Sequence, residues 1–220
     1  MVDRTSPSIR TMPDIVVIGG GITGAATADA LAREGHAVTL IEARRIAAMA
    51  SGWTLGGVRQ SGRDPAELPL AREAVALWAG LRDALDAEVE YRRNGNLRLA
   101  RTPAEVDVIR ALVASQREQG LDIDFLPDNA AVRAIAPALS PDILAASFCP
   151  TDGHANPIKA TQAFAESARR HRATIRENVA GRAIRVARDR ATGIETDSGF
   201  IPADRVILAA GINTPELLRS

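Results

Sequence analysis

Asp14-Ile15-Val16-Val17-Ile18 is a continuous, largely β-branched run, and Gly19-Gly20-Gly21-Ile22-Thr23-Gly24 follows it at once. Apolar residues at successive positions, without alternation, read as a strand buried on both faces of a parallel sheet. Ile22 to Glu34 is Ala-rich and helical, and Gly35 is placed to close it as a C′ residue. Ala37-Val38-Thr39-Leu40-Ile41 is a second buried strand, ending at Glu42. Strand, glycine turn, helix and strand inside about 30 residues make a βαβ unit. That unit commits the chain to an α/β fold with a parallel sheet.

The glycines form G-x-G-x-x-G, and each position has a physical reason. Gly19 permits the tight turn, Gly21 lets the backbone approach a pyrophosphate, and Gly24 lets the helix lie close to the strand. The unpaired N–H groups at the helix start then face anionic phosphates, aided by the helix dipole. Glu42, 18 residues after Gly24, is placed for its carboxylate to accept the hydroxyls of an adenosine ribose. It would repel a 2′-phosphate. The residues alone therefore indicate FAD or NAD and do not choose between them.

Further along, Arg44 to Arg63 has no clean period and holds Gly52, Gly56, Gly57 and Gly62, so it reads as a loop with a set backbone path. A helix is expected over Pro65–Leu85, with Ala71, Ala74, Leu77, Trp78, Leu81 and Leu85 on one face. Val89–Arg93 and Leu97–Ala100 flank Asn94-Gly95-Asn96, the pattern of a hairpin. Thr102 and Glu105 form a capping box before a helix that stops by Gly120. Residues 121–142 are short elements broken by prolines. Ile143–Phe148 reads as a strand, Cys149–Pro157 as a loop and Ile158–Arg172 as a helix. Thr174–Val179 is a strand, Ala183–Ala187 and Gly193–Thr196 pair, and Arg205–Ala209 is another buried strand running into Ala210-Gly211.

Composition narrows the function classes. Lys+Arg and Asp+Glu are both 27, so there is no broad basic footprint for nucleic acid or an anionic membrane. One cysteine excludes an intramolecular disulfide framework, and no apolar run reaches the ~18–20 residues of a membrane span. The polar start lacks the core of a secretory signal, and the expected location is cytoplasmic. Residues 1–12 are expected to be a disordered tail. HExxH, paired CxxC, GxSxG and P-loop motifs are absent, and no metal site is expected.

The glycine loop, the helix ending Ala32-Arg33-Glu34-Gly35 and the strand Val38-Thr39-Leu40-Ile41-Glu42 resemble the N-terminus of the FAD-dependent D-amino-acid oxidase superfamily, in its sarcosine oxidase β-subunit-like and glycine oxidase-like branch. Ala50-Ser51-Gly52-Trp53-Thr54-Leu55-Gly56-Gly57-Val58-Arg59-Gln60 resembles that family's loop after the second strand. Asp152-Gly153-His154-Ala155-Asn156-Pro157 resembles its return to the FAD domain, and Arg205 to Thr214 its second flavin motif. The similarity covers about residues 14–218.

The resemblance implies FAD as cofactor and a small-molecule amine or amino acid as substrate, whose C–N bond is oxidised by hydride transfer to flavin N5. Carried over by position, Gly19, Gly21, Ile22, Thr23 and Gly24 hold the pyrophosphate and Glu42 the ribose. Ala43 and Arg44 flank the adenosine, and Val179 pairs its backbone with the adenine. Ser51, Gly57, Val58 and Arg59 run from pyrophosphate to flavin, and Ala210 and Gly211 close over the cofactor. Arg59 is the side chain expected nearest the flavin ring, where a guanidinium can stabilise an anionic flavin or bind a carboxylate. His154 offers a base or a flavin-attachment point, against a loop-stabilising role. Cys149 is expected to be inert, His36 and His171 to lie on the surface, and Tyr91 to pack or to line a pocket.

The implied architecture is a Rossmann-like, glutathione-reductase-type FAD-binding domain formed by 13–62 and 151–220, with 63–150 inserted as the start of an incomplete α+β substrate domain. Family members run further than Leu218, so the expectation is an N-terminal portion, or one piece of a split enzyme with a partner chain supplying the remainder or accepting electrons. Two other classes stay open at this point: an NAD-dependent dehydrogenase, and a non-catalytic cofactor-binding subunit or inactive truncated chain.

Overall fold

The structure, a computed structural model, describes residues 14–219. The expected tail at 1–12 lies outside the described residues. In chain order the elements are β1 (Asp14–Ile18), α1 (Ile22–Arg33), β2 (Ala37–Glu42), α2 (Ala50–Trp53), β3 (Gly57–Val58), α3 (Leu68–Trp78), α4 (Leu81–Leu85), β4 (Asn96–Ala100), α5 (Pro103–Glu118), β5 (Asp124–Leu126) and α6 (Asn129–Ile135). Then come β6 (Ala145–Cys149), β7 (Gly153–His154), α7 (Pro157–Arg170), β8 (Thr174–Glu177), β9 (Gly181–Ala187), β10 (Arg190–Thr196), β11 (Gly199–Pro202) and β12 (Arg205–Leu208). A 3₁₀ turn at Gly211–Asn213 leads into α8 (Thr214–Leu217).

The chain divides into two units. Leu55–Asn156 forms one, and the segments on either side of it form the other. The Leu55–Asn156 unit is wider than the expected 63–150, because β3 pairs with β7 and ties the ends of the inserted segment to each other.

In the first unit, β12-β1-β2-β8 is a parallel sheet. β1 is central and buried on both faces, as its uninterrupted apolar run requires. Ile15 and Val17 face α1 and α7, where Ala25, Ala28, Ala32, Ala165 and Ala168 let the helices approach closely. Val16 and Ile18 face the other way, toward Ile194 of the antiparallel β11-β10-β9 layer and Ala203 just after it. The α/β class is as expected, and the structure adds the layering, with helices on one face of the parallel sheet and an antiparallel meander on the other. One strand differs from expectation. β12 is an edge strand, and Val206, Ile207 and Leu208 are half-buried rather than enclosed.

In the second unit, β4-β6-β5 is an antiparallel sheet covered by α5, with Ala100, Ile109, Val113, Ile123 and Ala145 in its core. Three expectations are corrected here. The chain around Asn94-Gly95-Asn96 makes no hairpin: β4 pairs with β6, and Arg92 bridges to His154. Gly95, at φ 87, donates its N–H to the Asp152 carbonyl and lies under Phe148, whose ring a Cβ there would meet at 2.3 Å. The glycine serves a close approach rather than a reversal. The helix expected over 65–85 is two helices, separated by Ala79 and Gly80. Leu77, assigned to its buried face, is 73% exposed, while Leu68 and Val75 are buried. Last, the Cys149–Pro157 segment contains β7.

Candidate functional site

The C-terminal ends of β1 and β2 and the start of α1 bring the glycine turn and Glu42 together. Gly19, at φ 113, takes a backbone conformation that favours glycine, and a Cβ there would stand 2.3 Å from the Ala209 carbonyl oxygen. A Cβ on Gly24 would stand 1.9 Å from the Gly19 carbonyl oxygen. Gly21 is the N-cap of α1 and provides no side-chain cap, and the first turn of α1 carries no acidic residue. The capping hydrogen bond comes from elsewhere: Ile22 N–H donates to Ser51 Oγ over 2.9 Å. A Cβ on Gly21 would meet nothing within 4 Å except the Ser51 side chain, so this side of the turn is open.

The Glu42 carboxylate is anchored at both oxygens. Oε2 accepts from Gly20 N–H at 2.7 Å and Oε1 from Arg44 N–H at 2.8 Å. Two carboxylate oxygens offer about four acceptor positions, so room remains for two ligand hydroxyls. Ala43 and Arg44 are exposed beside it. The donor set therefore fits a dinucleotide: an open helix N-terminus for the pyrophosphate and an oriented carboxylate for a ribose.

Val179 sits at this end of the sheet with its side chain buried; its N–H donates to the Glu42 carbonyl at 2.9 Å, so the backbone group it would turn to an adenine is its carbonyl. Ala210 packs half-buried against the Val16 and Ile18 face, and Gly211, at φ 57, is exposed after β12. Thr23 is exposed in the first turn of α1.

Gly57, Val58 and Arg59 belong to the second unit. Gly57 pairs with His154 in β3–β7, Val58 packs with Val75 and Ala155, and Arg59 is exposed. Both the Arg59 and Arg98 guanidiniums reach the open side of Gly62. His154 is exposed, and its backbone groups pair with those of Arg92. Tyr91 packs its ring on Trp78, with centroids 5.6 Å apart, and its hydroxyl is buried without a partner. Burial raises its pKa, the Arg93 charge opposes the rise and the Asp152 charge adds to it. Cys149 is buried, and burial pushes its thiol pKa up against a hydrogen bond with Thr151; a protonated, enclosed thiol fits the inert reading. His171 is exposed as expected. His36 is half-buried instead, with a buried Nδ1 that has no partner.

Three structural contributors were not singled out from sequence. Gly20, the variable position of the motif, cannot carry a side chain: a Cβ would stand 2.6 Å from Ile46 Cδ1 and 2.9 Å from Glu42 Cβ. Asp152, fully buried, accepts from Gln60 N–H, Ser61 N–H and the Ser61 hydroxyl, and so fixes the loop after β3. Glu177, at the end of β8, accepts from Ile46 N–H. The sequence signal for Glu177 was available: it closes a strand of the same parallel sheet as Glu42.

Among the described residues no group of His, Cys, Asp and Glu could hold a metal ion, and no helix is long and apolar enough to cross a membrane.

A dinucleotide-type site at the end of a parallel sheet, with helices on one face and an antiparallel layer on the other, is the class that this geometry defines. The FAD dependent oxidoreductase family, DAO, matches residues 14–220, and the chain belongs to it. It is 32% identical over 203 residues to 4-methylaminobutanoate oxidase (formaldehyde-forming) of Paenarthrobacter nicotinovorans, covering 92% of this chain and 25% of that protein. It is 26% identical to sarcosine oxidase subunit beta of an Arthrobacter species, covering 93% of this chain and 52% of the relative. The solved glycine oxidase of Bacillus cereus ATCC 14579 superposes with a TM-score of 0.86 at 33% identity, over 94% of this chain and 57% of that one. The chain thus spans between a quarter and somewhat over half of the length of these relatives. The family is FAD-dependent, which settles the choice between FAD and NAD left open by the residues.

Proposed function

We propose that this chain binds FAD through its first unit and serves in oxidation of the C–N bond of a small amine or amino acid. The observation that carries the reading is the anchored Glu42 carboxylate, 2.7 Å from the Gly20 N–H in the glycine turn and next to the start of α1, whose N-cap is a glycine with no side chain to cover it. Gly19, Gly21, Ile22, Thr23 and Gly24 would hold the pyrophosphate, and Glu42, Ala43 and Arg44 the adenosine end. Ala210 and Gly211 would lie along the cofactor, and Ser51 orders the helix start that faces it. FAD, when bound, supplies the hydride acceptor for the reaction. The protein's part is to bind, orient and exclude water.

The second unit would begin the substrate-binding part, with Gly57, Val58 and Arg59 on its approach to the flavin. The Arg59 guanidinium is charged at every relevant pH and suits a carboxylate or an anionic ring. The compounds in the relatives' names, 4-methylaminobutanoate, sarcosine and glycine, support a small amino acid as substrate. That one relative is a β subunit supports a further chain in the working assembly. The test is to purify the chain, add FAD and record the bound-flavin spectrum. Retained flavin that sarcosine, glycine or 4-methylaminobutanoate bleaches supports the whole reading; failure to retain any flavin refutes it.

A further inference from the structure

β2 and β8 run parallel with Glu42 and Glu177 in register, so two adjacent strands each end in a carboxylate on the same side of the sheet. Glu42 holds the N–H groups of Gly20 and Arg44. Glu177 Oε1 accepts from Ile46 N–H at 2.6 Å, and its other oxygen lies 3.9 Å from Arg169 Nη2. Ile46 is buried, so its N–H needs an acceptor supplied by the protein. The residues after Glu177 continue the attachment: Asn178 N–H donates to the Arg44 carbonyl at 2.7 Å and Val179 N–H to the Glu42 carbonyl at 2.9 Å. The segment from Glu42 to Ile46 is held along its length by the end of β8.

That segment leads directly to the glycine turn. Ile46 Cδ1 occupies the space that a Gly20 side chain would fill, and Ala47 N–H donates to the Gly20 carbonyl at 2.9 Å. Ala47 itself is in the left-handed region, at φ 64, a conformation that persists only where its surroundings impose it. The hydrogen bond from Ile46 to Glu177 is the restraint immediately before that residue.

We propose that Glu177 is a positioning residue for the adenosine end of the bound dinucleotide. It acts through Ile46: by fixing the segment 43–47 it sets the Glu42 carboxylate and the Gly20 N–H against one another, ready for a ribose. The role needs one acceptor oxygen at the reach of a glutamate, and the amide oxygen of glutamine satisfies it. The inference rests on the reading that the chain binds FAD.

The test uses the full chain, with FAD titrated by quenching of flavin fluorescence, ADP by calorimetry, and the melting temperature of the ligand-free protein. Glu177→Gln is expected to bind both ligands within about twofold of wild type. Glu177→Asp, which shortens the reach, and Glu177→Val, which removes the acceptor, are expected to weaken FAD and ADP alike by about tenfold. Both variants should stay folded without ligand, melting about 2–12 °C below wild type because the buried Ile46 N–H loses its acceptor. The proposal is overturned if Glu177→Val binds as tightly as wild type, or if Glu177→Gln fails to rescue. It is equally overturned if both Asp and Val variants lose their folded circular dichroism, since the residue would then serve the fold as a whole. If wild type binds neither FAD nor ADP, the FAD reading falls with it; if wild type binds and the variants match it, this inference alone falls.

Discussion

Gly24 and Gly19 touch so closely that a methyl group on Gly24 would stand 1.9 Å from the Gly19 carbonyl oxygen. Carbon and oxygen need well over 3 Å, and the atom in the way is backbone, which cannot rotate aside. Gly24→Ala would have to push α1 away from β1, an overpacking cost of about 3 kcal/mol. The expected drop in melting temperature is roughly 6–12 °C, with weakened FAD binding because the helix start moves. Gly57→Ala is the contrast: a Cβ there meets nothing within 4 Å. Its stability should stay within about 0.5 kcal/mol of wild type. Thermal melts of both variants check the pair.

Asp152 organises the loop after β3 from a fully buried position. Its carboxylate accepts from Gln60 N–H at 2.8 Å, Ser61 N–H at 3.2 Å and the Ser61 hydroxyl. Asp152→Ala leaves these buried donors without an acceptor and is expected to cost about 3–5 kcal/mol, whereas Asp152→Asn keeps one oxygen and costs less. Urea unfolding followed by tryptophan fluorescence measures both, and equal midpoints for the two variants would contradict the argument.

The glycine turn, both strands of the βαβ unit and Glu42 were legible in the sequence because local pattern fixes each of them. Ile15–Ile18 is apolar at every position, and only a strand enclosed on two faces needs that. The capping box at Thr102 and Glu105 was equally legible, since its two residues lie one helical turn apart. What failed was pairing at a distance. Asn94-Gly95-Asn96 has hairpin chemistry, yet β4 finds its partner in β6 almost 50 residues later, and Gly95 is glycine because Phe148 covers it. The Val179 N–H is used by Glu42, and the Ile46 N–H by Glu177, through the register of β2 with β8, which no local window contains. The family resemblance supplied the cofactor; the structure supplied the hydrogen bonds that prepare its site.

Glu105 gives helix α5 a pH dependence of known sign. The Arg101 N–H, then the Thr102 N–H, hold its carboxyl below the usual glutamate range. A carboxyl whose folded pKa is depressed contributes stability that is present above its unfolded pKa and is lost as pH falls through the folded value. Glu105→Gln removes that titration. The stability gap between wild type and Glu105→Gln should therefore be widest near neutral pH and narrow on acidification below the ordinary glutamate range. Denaturant melts at a series of pH values measure it; a gap that widens toward acid would contradict the capping geometry.

Ser51 lies on α2, outside α1, yet it supplies the hydrogen-bond acceptor that Gly21, as N-cap, lacks. Helix N-caps that lose their acceptor cost about 1 kcal/mol. Ser51→Ala is therefore expected to destabilise the protein by about that amount, and Ser51→Thr, which keeps the hydroxyl, by less. The hydroxyl also stands beside the open side of Gly21, where the pyrophosphate would lie. Losing it frees the Ile22 N–H and loosens the turn that must present its neighbours to the phosphates. FAD affinity should accordingly fall about fivefold in Ser51→Ala, beyond the global loss, and recover in Ser51→Thr. Flavin fluorescence titration at a temperature where all three proteins are folded separates the two effects. Equal FAD affinity for wild type and Ser51→Ala would restrict Ser51 to capping.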